Sequence, residues 1–286
     1  MEKLTDWAAL WRELVEVRAH GQQDGGAGVS QEDIWKARAR EFDARVKRRW
    51  ARPDSSRDFI LSHMDTNATV LDIGAGTGAW AAMLARRARR VTAVEPSSAM
   101  SHVMRENLAA DGVTNVDIIQ GSWPDAPVEP HDFVLCSHAM YSSLDFPAFV
   151  TRMVAAASRM CFMIIRAPSP DGLMAEVAQH LWSQPFDSPN FIIAYNILLR
   201  MGIYPSVLME DTGFWDPRTS QSLGEALAEM RRHFRLPEDS EYNGYLMALL
   251  RRRLVHEDGL YVWPREVRSA LVYWSVEHGS GSEETH

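Results

Sequence analysis

The apolar positions of this chain follow one period at its start and another from residue 69 onward. Over residues 3–18, Leu4, Trp7, Leu10, Trp11, Leu14 and Val15 recur at three- and four-residue spacing, which predicts an amphipathic helix. A glycine-rich stretch from Gly21 to Gly28 interrupts it. A second helix is predicted to start after Ser30, which forms an S-x-x-D capping box with Asp33, and to stop before Pro53. From residue 69 the runs TVLDI, VTAVE, VDIIQ, DFVLC and CFMIIR are short and rich in β-branched residues. Between them lie AWAAMLARRA, SAMSHVMRENLAAD and FPAFVTRMVAAAS, with helical spacing. Strand and helix alternating in this way predict an α/β fold whose sheet is parallel, doubly wound and buried on both faces.

After Arg166 the alternation breaks down. PSPDGLMAEVAQHLW and NFIIAYNILLRMG predict two extra helices, IYPSVLME a strand, SQSLGEALAEMRRHF and YNGYLMALLRRRLV two more helices, and RSALVYWSV a closing strand. The chain thus divides into an N-terminal helical cap (1–52), a doubly wound core (53–166), a helical insert with closing strands (167–278) and a polar tail (279–286). The insert over about 167–200 is long for a connection, and long connections tend to be lids or binding elements.

Composition changes this picture only at the margins. Lys+Arg 30 against Asp+Glu 38 gives a net charge of −8, which argues against a chain whose main work is coating nucleic acid or anionic lipid. The basic run Lys36, Arg38, Arg40, Arg45, Lys47, Arg48 and Arg49 is interleaved with Glu41 and Asp43, the pattern of a solvated helix face. Cys136 and Cys161 lie inside apolar runs and are read as free buried thiols of a reduced, cytoplasmic protein. The N-terminus lacks the features of a secretory leader, and no 18 apolar residues run uninterrupted, so no membrane span is expected.

The chemistry is concentrated where the first strand ends. Asp72 and Ile73 lead into Gly74, Ala75, Gly76, Thr77 and Gly78, with a helix beginning near Trp80. Glycines at that turn let the backbone approach a ligand without Cβ interference, while the N–H groups of the next helix face the same space. Gly74, Gly76 and Ala79 also satisfy the G-x-G-x-x-[GA] pattern of dinucleotide enzymes. Three features separate the readings: Asp72 precedes the loop, Gly78 tightens it to G-x-G-x-G, and Glu95 closes the next strand, where a carboxylate can accept both hydroxyls of a ribose.

On VLDIGAGTG, AVEPSSAM, IIQGSW and HDFVLCSHAMY together, residues 35–166 resemble the class I S-adenosylmethionine-dependent methyltransferases, in their small-molecule branch. The resemblance implies a doubly wound, mostly parallel seven-stranded sheet, Rossmann-like, with N-terminal helices and a helical insert as lid. It implies that Asp72 and the Gly74–Gly78 loop hold the methionine moiety of S-adenosyl-L-methionine, Glu95 the ribose, Pro96 and Met100 the adenine face, and Ser122 with Trp123 the adenine edge. Ser137 and His138 would lie beneath the sulfonium. Trp35, Arg38 and Phe42, in W-x-x-R-A-x-x-F-D, look like the helix that closes over the cofactor.

The motifs name the donor and leave the acceptor open. His138 follows the fourth strand and is the best candidate for a general base, against a reading as a neutral packing residue; Tyr141 and Arg166 could orient an acceptor. CSHAM replaces the N/D-P-P-Y of base and glutamine methyltransferases, no Pro-Cys or Thr-Cys pair offers a nucleophile, and no acidic cluster suggests a metal. Trp182, Phe186, Phe191, Tyr195, Tyr204, Phe214 and Trp215 could roof an apolar pocket. The reading is a methyltransferase of a small organic molecule, O-methylation preferred, monomeric or homodimeric. Its rivals are a tRNA or protein methyltransferase, a non-catalytic S-adenosylmethionine-binding protein, and a nicotinamide-dependent oxidoreductase.

Overall fold

Apolar residues on both sides of each early strand force helices onto both faces of the sheet, and the chain does this. The computed structural model describes residues 5–20, 31–210 and 218–276. In chain order the elements are α1 (Trp7–His20), α2 (Gln31–Trp50), α3 (Ser55–Ser62), β1 (Thr69–Ile73), α4 (Ala79–Ala85), β2 (Arg90–Glu95), α5 (Ser98–Ala110), β3 (Val116–Gln120), β4 (His131–Ser137), α6 (Phe146–Ala156), β5 (Ala157–Pro168), α7 (Leu173–Trp182), α8 (Phe191–Arg200), β6 (Ser206–Met209), β7 (Thr219–Ser220), α9 (Leu223–Phe234), α10 (Asn243–Arg253), β8 (Val255–Glu257), β9 (Leu260–Val262) and β10 (Val267–Ser275). Short side chains mark the helix starts: Asp54, Ser97, Asp145, Asn190 and Ser222 each accept a backbone N–H of the helix they precede.

The seven-stranded sheet runs β3-β2-β1-β4-β5-β10-β6, with β1 to β5 parallel and β10 antiparallel to both its neighbours. The strand order reverses between β1 and β4, which opens a crevice at the carboxyl edge of the sheet. Asp132 fixes the opposite edge: its carboxylate accepts the Thr69 N–H at 2.7 Å and the Thr69 hydroxyl at 2.9 Å. This is a structural role, at the start of its strand.

One face of the sheet is covered by α1, α6 and α8, the other by α3, α4 and α5. Trp11 anchors the first layer; it is fully buried, stacks on Phe146 with centroids 4.1 Å apart, and donates its indole N–H to the Ser143 carbonyl at 2.8 Å. Cys136 and Cys161 are free and buried in the same core.

Three features depart from the sequence expectations. The helix α3 was not anticipated between Pro53 and β1. The segment after Arg166 is not one insert: α8 returns to the main sheet, whereas α7, α9 and α10 close a separate core around Val177, Met230, Leu250 and Trp263. A small antiparallel sheet, β7-β9-β8, joins that second core; its strands have two or three residues, too short to show a period. Of the aromatic set, Trp182 packs on Phe234 in the second core, Phe186 and Phe191 on the first, Tyr195 on Phe191, and Tyr204 is 82% exposed. Ser30, Phe214, Trp215 and the tail lie outside the described residues. Among the described residues no helix is long and apolar enough to cross a membrane.

Truncating the Trp11 anchor should loosen α1 from the sheet. Trp11→Ala should lower the unfolding free energy by about 3–5 kcal/mol, as for other buried aromatic side chains, in urea denaturation followed by tryptophan fluorescence; a loss below ~1 kcal/mol would place α1 outside the cooperative core.

Candidate cofactor seat and active site

The turn after β1 needs glycine at three alternate positions. Gly74, Gly76 and Gly78 have φ of +69°, +58° and +86°, in the left-handed region. Space adds a second constraint at two of them. A Cβ on Gly74 would sit 2.2 Å from the Cβ of Ala139, and one on Gly78 would sit 2.5 Å from Met104. At Gly76 the nearest atom would be Phe42 of α2 at 3.6 Å, an ordinary contact, so there the positive φ is the constraint.

Glu95 holds the turn in place. Its carboxylate accepts the Gly76 N–H at 2.8 Å and the Ser97 N–H at 2.9 Å, joining the loop to the start of α5. Asp72 lies beside it, 1% exposed, with Oδ2 buried and without a hydrogen-bond partner among the described residues. Burial first, and then the Glu95 charge, raise its pKa to about 7, against the pull of the Ala81 N–H. Two adjacent buried carboxylates, with Asp72 Oδ2 short of a partner, could hold a cationic, hydroxyl-bearing guest. An amino-acid ammonium and a ribose fit that donor set, as the resemblance implies for Asp72 and Glu95.

The helix α2 lies across the loop. Phe42 packs with Ala39, Met100 and Val103, and Asn107 of α5 donates both to Asp43, at 2.8 Å, and to the Thr77 carbonyl, at 2.9 Å. Lys47 adds an ion pair to Asp43 at 2.8 Å. Arg38 is exposed on the same helix, and the Trp35 side chain lies outside the described residues. Met100 is buried and Pro96 and Ser122 are exposed. Trp123 turns toward α6, giving its indole N–H to the Phe149 carbonyl at 3.1 Å, with Arg152 over its ring. That N–H is therefore already used, and what the residue can offer an adenine edge is its ring.

Past β4 the chain turns sharply through Ser137 and His138, the latter at φ +55°, with the His138 N–H on the Ile164 carbonyl at 2.9 Å. The Tyr141 hydroxyl accepts the Arg166 backbone N–H at 2.8 Å and lies 2.8 Å from His138 Nδ1. On its other side, His138 Nε2 lies 3.4 Å from the Ser269 hydroxyl. Arg49 donates to that hydroxyl at 3.0 Å. Burial, followed by the Arg49 and Arg166 charges, pushes the His138 pKa down to about 3. Burial and hydrogen bonds at both ring nitrogens favour the packing reading of His138 over the general base. Burial likewise drives the Tyr141 phenol well above its usual range.

Arg166 points its guanidinium at Asp187, at 3.3 and 3.4 Å, and His233 bonds the same carboxylate at 2.9 Å. Sequence reasoning missed Asp187, His233 and Ser269. Each is a single polar residue in a segment read as helix, loop or strand, and carries no motif.

The comparisons bear on the domain and the fold. Residues 70–161 match the model of a family described as a methyltransferase domain. A protein-L-isoaspartate O-methyltransferase of Methanoregula boonei is 37% identical over 102 residues, 35% of this chain and 46% of the relative. An uncharacterized methyltransferase of Staphylococcus carnosus is 30% identical over 118 residues, 38% of this chain and 53% of the relative. The chain thus spans about half the length of the curated relatives it matches. Among solved structures, the YcgJ protein of Bacillus subtilis superposes with a TM-score of 0.54 at 15% identity over 78% of this chain and 97% of that one. A putative methyltransferase of Bacillus halodurans gives 0.53 at 14% identity over 77% and 98%. These two likenesses concern the fold. Residues 70–161 thus match a methyltransferase domain, carried on a sheet with the fold of these structures.

Proposed function

We propose that the protein transfers a methyl group from S-adenosylmethionine to a small organic acceptor, through an oxygen that arrives ionised. The observation that carries the donor assignment is the buried Asp72 Oδ2, without a hydrogen-bond partner among the described residues, beside Glu95 at the glycine loop. Bound there, the donor supplies a methyl group on a sulfonium, which an in-line nucleophile can take without a metal.

The protein's part is positioning. Asp72 and the glycine loop hold the amino-acid end, Glu95 the ribose, and Phe42 on α2 covers the seat. His138 and Tyr141 form a neutral, mutually bonded floor at the end of β4. With the His138 pKa near 3 and the Tyr141 phenol raised, neither group takes a proton from an aliphatic hydroxyl or an ammonium near neutral pH. This favours an acceptor that is already an anion, and hence O-methylation. A small acceptor is supported by the way the α7–α8 connection and α9 meet the end of β5 through Arg166, Asp187 and His233, which roofs the edge beside the floor. The isoaspartyl relatives align with only about a third of this chain, so their protein acceptor does not carry over to this reading.

Turnover of methyl-labelled donor against a pool of small metabolites should yield a labelled product, and binding without any turnover would overturn the catalytic part. Glu95→Ala should weaken S-adenosylhomocysteine binding by about 1.5–3 kcal/mol, measured by calorimetry, and an unchanged affinity would contradict the ribose assignment. The pH dependence follows from Asp72. Its ionised form binds the ammonium, and with a pKa of about 7 in the ligand-free protein a proton must leave first at lower pH. Affinity for S-adenosylhomocysteine should therefore fall about tenfold from pH 8 to pH 6, and Asp72→Asn should flatten that slope.

A further inference from the structure

Where β5 ends, elements far apart in sequence bring together Arg18 of α1, Arg166 of β5, Asp187 of the α7–α8 connection, and His233 and Arg235 at the end of α9. Asp187 is 1% exposed and is the hub. It takes Arg166 Nη2 at 3.3 and 3.4 Å, His233 Nε2 at 2.9 Å and the Ser188 hydroxyl at 3.4 Å. Burial pushes its pKa up, but Arg166, then His233 and Arg18, hold it well below the usual carboxylate range. Arg18 is close enough to be acted on by Asp187, Arg166, Arg235 and Tyr141. Burial keeps His233 neutral at pH 7.

The charges do not balance. Arg166 and Arg18 share the Asp187 carboxylate, and Arg235, close enough to act on Arg18, adds a third positive charge. Two of their nitrogens, Arg166 Nε and Arg235 Nη1, are buried and have no hydrogen-bond partner among the described residues. A buried guanidinium N–H without an acceptor is costly and uncommon, and it is met where a ligand completes the set. The cluster also adjoins the floor of the active site, because the Tyr141 hydroxyl accepts the Arg166 N–H on one side and bonds His138 on the other.

We propose that Arg18, Arg166 and Arg235 form the acceptor-binding site and take the carboxylate of a small organic acid. Two spare N–H donors, one from each of two planar guanidinium groups, match the two oxygens of a carboxylate, whereas a phosphate would leave its third oxygen without a donor. The proposal rests on the methyltransferase reading for what the bound acid is used for, and on the cluster alone for the binding.

The test is calorimetric titration at constant ionic strength with sodium benzoate, benzamide and inorganic phosphate, with and without S-adenosylhomocysteine. Benzoate should bind at least about tenfold more tightly than either of the others. Arg235→Gln should weaken it about tenfold or more, Arg235→Lys much less, and both should retain affinity for S-adenosylhomocysteine within about twofold. Arg18→Gln gives the same readout should Arg235→Gln not fold. Benzoate binding no tighter than benzamide, phosphate binding tighter than benzoate, or a benzoate affinity indifferent to Arg235 and Arg18 would each overturn the proposal. Benzoate binding in a protein that takes no S-adenosylhomocysteine would keep the anion site and remove the methyltransferase reading.

Discussion

Two carboxylates at the tops of adjacent strands, Asp72 on β1 and Glu95 on β2, set the terms for the rest of the molecule. Glu95 is stabilised by two backbone N–H groups and in return fixes a loop whose three glycines stand at positive φ. Asp72 has one, from Ala81, and its burial beside Glu95 still raises its pKa to about 7. The register of β1 with β2 places both, since Ile73 pairs with Val94 directly below the loop.

The second organising feature is coverage. The helix α2 spans the loop and is secured to α5 by Asp43, Lys47 and Asn107, so the seat is roofed by residues whose polar ends bond one another. On the other side of the switch point, α7, α9 and α10 build a core of their own, and α9 meets the end of β5 through His233 and Asp187. The cationic cluster therefore adjoins the neutral pair, Tyr141 and His138. The lowered basicity of His138 is a consequence of that crowding: Arg49 and Arg166 face it from two elements.

This division explains why the chemistry reads as positioning. A floor that neither gives nor takes a proton suits an acceptor that needs none removed. Cations set around one carboxylate suit an acceptor that carries a negative charge.

The five parallel strands, the helices between them and the glycine turn were legible in the sequence, because each rests on a local rule. β-branched runs make buried strands, three-to-four spacing makes helices, and only glycine reaches φ near +60° to +90° without strain. The closing strand was equally plain in RSALVYWSV, and the burial of Cys136 and Cys161 in their apolar runs. By contrast, the protonation state of His138, the direction of the Trp123 indole and the company kept by Arg166 depend on Ser269, Phe149 and Asp187, residues 131, 26 and 21 positions away. Sequence fixes which side chains can ionise; their charges are decided by burial and by neighbours that only the folded chain assembles, because desolvation and Coulomb forces act through space and not along the backbone.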